Sequence, residues 1–321
     1  MTGPRLSFVG RSRVRARRLL ARLLRAVPGR TVDWVHRHWI TDDGRTDPRW
    51  APVARLLFHR PLHQTVVTVP GSGGIRLHVV GARLERTLYW FGEQGYEPGE
   101  AAWWRLLCSR ATAVLEIGSN IGWYTTVGAA AAPVGGYLAV EANPEAARAT
   151  RRNLELNGLG HGAVLTAAAV GQGAPSSLYL ALPDQESFSA APTGSYLRGH
   201  TEGTADRAAR RSLTVPTLSA RHLITGRDLV KLDVEGAEAG ILESALDIIL
   251  RDRPILLVER MPDTPRLDRV LEQLVGGGYL VLRLGTQLQP AGPRPPVDEH
   301  YDVLLVPAER GAVPVHLGDL R

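Results

Sequence analysis

Cysteine occurs once in the 321 residues. A lone Cys108 makes no intramolecular disulfide, which excludes the stapled secreted scaffolds and fits a reducing cytosol; its expected role is that of a small buried hydrophobe. Lysine is equally scarce. Of 38 basic side chains, Lys231 is the one lysine and the other 37 are arginines. Codon usage produces such a skew more easily than selection does, so the formal charge of +6 is no argument for nucleic acid. Long apolar runs are missing too. No uninterrupted stretch approaches the roughly 18 residues of a membrane-spanning helix, and the segment from Ile248 to Met261 is broken by Arg251, Asp252 and Arg253. The N-terminus shows no basic start, apolar middle and small-residue cleavage site in that order. A cytoplasmic protein is expected. The ten histidines show no zinc spacing, and a single cysteine cannot complete a thiolate site.

With 44% hydrophobic and 22% charged residues, the chain has ordinary globular composition. Its length suits one large domain with an appended piece. We read residues 1–83 as an N-terminal basic helical region with a β-hairpin, and 84–321 as the main domain. No internal repeat is visible. Leu19, Leu20, Leu23, Leu24 and Val27 recur at helical spacing, with Arg17, Arg18, Arg22 and Arg25 largely on other faces. The functional readings of this basic amphipathic helix are a membrane surface, an acidic partner or RNA. The reading we favour is a helix docked on its own domain with a solvated arginine rim. The alternating segments Gln64 to Val69 and Ile75 to Val80 flank Gly-Ser-Gly-Gly and predict the hairpin.

From about Leu84 onward, short apolar runs alternate with helical patterns, which predicts an α/β fold with a wound, mainly parallel sheet. The runs are Ala113–Ile117, Gly136–Glu141, Ala163–Ala168, Leu229–Asp233, Ile255–Glu259 and Tyr279–Leu284. Helices are expected over Trp123–Ala132, Pro144–Asn157, Ala237–Leu250 and Pro265–Val275, with Pro144 suited to a helix start. A last strand, Tyr301–Val306, follows the Pro/Gly-rich loop Pro290–Pro296, and the short connection predicts antiparallel pairing at that end of the sheet. Residues from Gly171 to Ser212, rich in Gly, Ser, Ala and Pro, are expected to form a lid-like loop.

The most informative segment runs Val114-Leu115-Glu116-Ile117-Gly118-Ser119-Asn120-Ile121-Gly122-Trp123-Tyr124-Thr125, a buried strand leading through a glycine turn into a helix. Asn120 and Trp123 stand where a dinucleotide fingerprint needs its second and third glycines. Glu116 adds a carboxylate that would repel phosphates but attract the ammonium and sulfonium of S-adenosylmethionine. Glu141, 25 residues later at the end of the next strand, can accept two hydrogen bonds from ribose hydroxyls. The expected cofactor residues are Glu116, Gly118, Ser119, Asn120, Gly122, Tyr124, Thr125, Glu141, Asn143 and Asp233.

These residues resemble the FkbM-type S-adenosylmethionine-dependent methyltransferases over roughly Tyr89 to Pro307. Gly95-Tyr96-Glu97-Pro98, Glu116-Ile117-Gly118-Ser119-Asn120-Ile121-Gly122, Glu141-Ala142-Asn143-Pro144, Asn153-Leu154-Glu155-Leu156-Asn157-Gly158 and Lys231-Leu232-Asp233-Val234-Glu235-Gly236-Ala237-Glu238 carry the resemblance. It implies a class I methyltransferase (Rossmann-like) fold, a seven-stranded mixed sheet with an antiparallel final strand, and methyl transfer, usually to oxygen. Glu116 and Ser119 stand where the family usually has Asp and Ala, Ala142 replaces a proline, and Ser219 stands where Asp is common.

In that fold the fourth strand ends beside the reactive methyl, here at Leu229–Asp233. Asp233, Glu235 and Lys231 are the expected catalytic residues, with Glu235 as general base, Asp233 orienting cofactor or acceptor, and Lys231 pairing with Asp233 or Glu259. Glu238 is the weakest member of the cluster, since a glutamate at a helix N-terminus is favoured by the macrodipole alone. No metal is assigned: a divalent ion on these three carboxylates is the less favoured reading, because no independent ligand set accompanies them. Tyr89, Trp90, Tyr96, Trp103 and Trp104 are candidates for an acceptor pocket, although helical packing accounts better for Trp103 and Trp104. The expected activity is O-methylation of a hydroxyl or carboxyl on a small-molecule natural product. The rivals are an RNA- or protein-directed methyltransferase using the arginine-rich helix, a nicotinamide oxidoreductase, and a non-catalytic module.

Overall fold

The computed structural model describes residues 23–24, 26–171, 177–182, 196–197, 211–285, 287–292 and 301–310. The basic N-terminal helix lies outside these, apart from its end, where Leu24 is buried and Leu23 exposed. In chain order the helices are α1 Gly29–Trp39, α2 Ala51–Leu57, α3 Arg83–Phe91, α4 Glu100–Arg110, α5 Trp123–Ala131, α6 Pro144–Leu156, α7 Ala220–Ile224, α8 Glu238–Asp252 and α9 Pro265–Gly276. The strands are β1 Val66–Thr68, β2 Arg76–His78, β3 Val114–Ile117, β4 Tyr137–Glu141, β5 Ala163–Thr166, β6 Ala168–Val170, β7 Ser177–Leu182, β8 Tyr196–Leu197, β9 Arg211–Ser219, β10 Leu229–Leu232, β11 Ile255–Arg260, β12 Tyr279–Arg283, β13 Gln289–Pro290 and β14 Tyr301–Pro307.

The main sheet is mixed, in the order β13-β12-β14-β11-β10-β3-β4-β5. Strands β11, β10, β3, β4 and β5 run parallel, and β14 inserts antiparallel between β11 and β12. All four residues of β3 and all four of β10 are buried, as expected for strands covered on both faces. The expected count of seven strands becomes eight through the two-residue edge strand β13, which pairs with β12. A second sheet, β6-β9-β7-β8, occupies part of the expected lid between Gly171 and Ser212. The Gly/Ser/Ala-rich composition hid the alternation Leu178, Leu180 and Leu182, and β7 pairs antiparallel with β9. The rest of that expected loop, and most of the Pro290–Pro296 loop, lies outside the described residues. The run Ala163–Ala168 is likewise two strands, because the chain leaves the main sheet after Thr166 and β6 joins β9.

Side-chain alternation divides the core. Leu115, Ile117, Val230, Leu232, Leu256 and Val258 pack on the α7–α9 side. Val114, Ala139, Leu257 and Leu304 belong to the opposite cluster, which continues through Trp103, Trp104 and Trp90 to Val35 and Leu77 of the N-terminal region. The hairpin β1–β2 forms as read, antiparallel and in register from Val66↔His78 to Thr68↔Arg76. It is locked to α6 by two asparagines. Asn153 Oδ1 accepts from His78 N (2.7 Å) and Asn157 Oδ1 from Arg76 N (2.9 Å).

Candidate active site

The carboxyl ends of β3, β4 and β10 meet at one edge of the sheet, where ligands of open α/β folds bind. Gly118 follows β3 with φ +94, and a Cβ there would stand 1.7 Å from the carbonyl oxygen of Asp233. Only glycine allows the two strand ends to approach so closely. Asn120 also takes a left-handed conformation (φ 50), and Gly122 (φ 85) lies against Thr150 of α6, where a Cβ would meet Cγ2 at 2.8 Å. The loop is tied from below: Thr150 Oγ1 donates to Asn120 O (2.8 Å), and Asn153 Nδ2 to Ile121 O (2.8 Å). Ser119 is buried, with its hydroxyl 3.5 Å from that of Thr150.

Glu116 is buried under this loop and accepts from Thr125 Oγ1 (2.6 Å) and Tyr137 Oη (2.7 Å). Burial pushes its pKa up, against the pull of those two hydroxyls. Its carboxylate thus joins β3, β4 and the first turn of α5, holding the glycine turn from inside. Glu141 closes the other side. Its Oε2 accepts from Asn120 N and its Oε1 from Asn143 N, both at 2.7 Å, and burial raises its pKa to about 7. Asn143 caps α6 by accepting from Glu145 N (3.0 Å), with Pro144 in the first turn. Its amide Nδ2 is buried and has no hydrogen-bond partner, although the residue is only 2% exposed. An orphaned donor beside a strand-end carboxylate is what a ribosyl ligand would satisfy.

At the end of β10, Lys231 is 1% exposed. Its ammonium lies 3.1 Å from Asp233 Oδ2 and 3.2 Å from Glu100 Oε1, and 4.6 Å above the ring of Tyr124. Burial works against its charge, but Asp233, Glu100 and Asp302 hold its pKa above the ordinary lysine range. Of its two expected partners, Asp233 is found. The other contact, Glu100 on α4, carried no signal in the sequence reading. Sheet register explains the rest: β10 pairs with β11 and β11 with β14, placing Asp302 opposite Glu259 at the same edge. Burial raises the Glu100 carboxyl, and Asp302 beside it adds to the rise; Asp302 itself is pushed to about 6, chiefly by burial.

Asp233 is 26% exposed at its side chain and opens to the crevice. Glu235 is half-buried in the following turn with φ 55, next to Gly236 at φ 100. Glu238 folds back under that turn. Its Oε1 accepts from Val234 N (2.8 Å), and burial raises its pKa to about 7. It shapes the β10–α8 turn rather than facing outward. Tyr96 and Glu97, ahead of α4, complete the rim, with Tyr124 Oη donating to Glu97 Oε2 at 2.5 Å. The rings of Tyr96 and Tyr124 lie 6.3 Å apart. Trp103 and Trp104 are fully buried packing residues, with indole N–H groups donating to Gly285 O (2.8 Å) and Tyr124 O (3.1 Å). Tyr89 and Trp90 are buried in the N-terminal part of the core. Of the five aromatic candidates, Tyr96 is the one beside the crevice.

Oxygens of Glu97, Glu100 and Asp302 lie within 4.8 Å of one another, the one such group among the described residues. The Lys231 ammonium already supplies a cation there. The carboxylates expected to cluster from sequence, Asp233, Glu235 and Glu238, are divided between crevice, turn and turn support.

The model of the methyltransferase FkbM domain matches residues 116–281. The chain belongs to the FkbM methyltransferase family. It is a methyltransferase with S-adenosylmethionine as its cofactor, and the residues around the glycine turn fit that group. Among solved structures, an O-methyltransferase from Bacillus cereus in complex with SAH is 15% identical with a TM-score of 0.38, covering 65% of this chain and 80% of that one. TomG from Streptomyces achromogenes, an O-methyltransferase involved in tomaymycin synthesis, is 16% identical with a TM-score of 0.36, covering 64% and 78%. A SAM-dependent O-methyltransferase from Thermotoga maritima is 13% identical with a TM-score of 0.38, covering 65% and 64%. At these values nothing about substrate follows. Comparison with curated proteins gives no match. No helix among the described residues is long and apolar enough to cross a membrane.

Proposed function

We propose that this FkbM methyltransferase methylates an oxygen, hydroxyl or carboxyl, of a small-molecule natural product in the cytoplasm. The observation that carries this reading is the open carboxylate of Asp233, tethered to Lys231 and joined through its backbone to the Gly118 turn. Gly118, Ser119, Asn120 and Gly122 would cradle the cofactor, Glu141 and Asn143 would take its ribosyl part, and Glu116, Tyr124 and Thr125 would hold the turn in place. When bound, S-adenosylmethionine supplies an electrophilic methyl group on a sulfonium. The protein's task is to align the acceptor oxygen with that carbon, exclude water and remove a proton from a hydroxyl acceptor. Glu235, half-buried on a left-handed turn two residues beyond Asp233, is the proposed proton acceptor. A carboxylate acceptor would need none. The arginine-rich N-terminus is accessory in this reading, and RNA is not the substrate.

The test is transfer of labelled methyl from S-adenosylmethionine to small molecules in fractionated extract. Among O-methylated products, label lost in mild alkali marks an ester and label retained an ether, and mass spectrometry of the product distinguishes the ether from N- or C-methylation, which would overturn the reading. Glu235→Gln should lower transfer to a hydroxyl acceptor by about 100-fold or more, with S-adenosylhomocysteine affinity unchanged by calorimetry. Retained turnover would remove Glu235 as the base. Label appearing in RNA or protein, with none in small molecules, would overturn the substrate class.

A further inference from the structure

The acids at the crevice outnumber the cations among the described side chains there. Glu97, Glu100, Asp233 and Asp302 surround the single ammonium of Lys231, which is in contact with two of them, Glu100 and Asp233. One further buried carboxylate oxygen, Asp302 Oδ1, has no hydrogen-bond partner. The site holds more acceptor oxygens than donors. Glu100, Asp302 and Lys231 are themselves buried, so a ligand reaches this set through its half-exposed members, Glu97 and Asp233. Asp233 already has an ammonium at 3.1 Å. Glu97 instead takes its 2.5 Å hydrogen bond from a neutral hydroxyl, that of Tyr124.

Position makes Glu97 more than a spare acid. Tyr124 belongs to the first turn of α5, directly after the glycine turn, so its hydroxyl fixes the Glu97 carboxylate to the element that would carry the cofactor. Glu97 itself sits at φ 43, in a left-handed conformation that non-glycine residues seldom adopt, just before α4 begins. Glu97 faces Lys231 and Asp233 on the β10 side of β3, while Glu141 and the orphaned Asn143 amide lie on its other side, at the end of β4. The glycine turn thus lies between an acceptor–donor pair suited to a ribose and a carboxylate suited to a cation.

We propose that Glu97 binds the ammonium of the cofactor's amino-acid tail, which makes it a cofactor-anchoring residue at the end of the crevice opposite Glu141. The inference rests on the methyltransferase reading of the site. It assigns to Glu97 binding and orientation, leaving proton removal from the acceptor to Glu235. Burial, first among the causes, raises the Glu97 carboxyl to about 7, and an arriving ammonium would stabilise its ionised form. Tyr96, Tyr124, Glu100, Lys231, Asp233 and Asp302 are the titratable groups that face it.

The experiment is calorimetric titration of the full chain with two probes, S-adenosylhomocysteine and 5′-methylthioadenosine, the second of which lacks the amino-acid tail. Glu97→Gln keeps the size and the contact with the Tyr124 hydroxyl while removing the charge. It should weaken S-adenosylhomocysteine by about 10- to 100-fold, the usual weight of a charge-assisted hydrogen bond, and leave methylthioadenosine unchanged. Glu97→Asp should fall between. Equal losses for both probes, or no loss for either, would overturn the proposal. A thermal melt of each variant separates misfolding from lost contact, and unchanged methylthioadenosine binding in Glu97→Gln reports an intact nucleoside site. If the wild-type chain binds neither probe, it is the cofactor reading that fails, independently of Glu97.

Discussion

Gly118→Ala is expected to abolish S-adenosylhomocysteine binding and to destabilise the fold by about 2 to 6 kcal/mol. The figure combines two penalties of about 1 to 3 kcal/mol each, one for a non-glycine residue forced into an unfavourable conformation and one for overpacking. Both apply because φ is +94 and the new methyl would stand 1.7 Å from a backbone oxygen, which no side-chain rotation relieves. The clashing atom is Asp233 O, so the ends of β3 and β10 must move apart and carry the Asp233 carboxylate away from the glycine turn. Urea unfolding measures the stability, and calorimetry measures the site. An alanine variant that retained wild-type affinity would show that the close approach of these strand ends is dispensable.

Lys231→Met is expected to cost about 3 to 5 kcal/mol, because removing one partner of a buried ion pair leaves the others uncompensated. Lys231 is 1% exposed, and Glu100 and Asp302 around it are buried as well. Methionine fills the stem's volume, so the loss reports charge and not a cavity. The second substitution Glu100→Gln should recover part of the loss by replacing the most enclosed acid around the missing ammonium with a neutral amide, a coupling that a double-mutant cycle reads directly. Lys231→Arg should not rescue, since a planar guanidinium needs more room than the ammonium packed over the Tyr124 ring. A cost below about 1 kcal/mol for Lys231→Met, within the range of an exposed pair, would mean that this network does not hold the strand end.

The parts legible in the sequence were those set by local pattern. The short, largely apolar runs Ala113–Ile117 and Leu229–Asp233 located β3 and β10 because both strands are buried on two sides, and Pro144 marked the start of α6 because it suits the first turn of a helix, where Asn143 proves to be the cap. Glu116 and Glu141 were legible as strand-end acids. Their contacts were not: Glu116 faces Thr125 and Tyr137, and Glu141 bridges two backbone amides. Partners distant in sequence left no trace at all. Glu100 and Asp302 reach Lys231 only because β10, β11 and β14 lie side by side and α4 covers that face, an arrangement no spacing along the chain encodes. Glu97 was visible as part of Gly95-Tyr96-Glu97-Pro98 but had no assigned chemistry until Tyr124 was seen to reach it. The stretch from Gly171 to Ser212 misled for the opposite reason, since its small residues mask the strands β7 and β9.

Two adenosine ligands, one free of phosphate and one carrying a diphosphate, offered to the same crevice test the account at its root. The full chain is titrated calorimetrically with S-adenosylhomocysteine and, separately, with NAD under the same buffer and salt. Saturable heat with the first and only dilution heat with the second is the predicted outcome, because Glu141 and Asp233 flank the glycine turn with carboxylates and no described residue there offers a diphosphate a cation that is not already paired with an acid. Saturable NAD binding with no response to S-adenosylhomocysteine would contradict it.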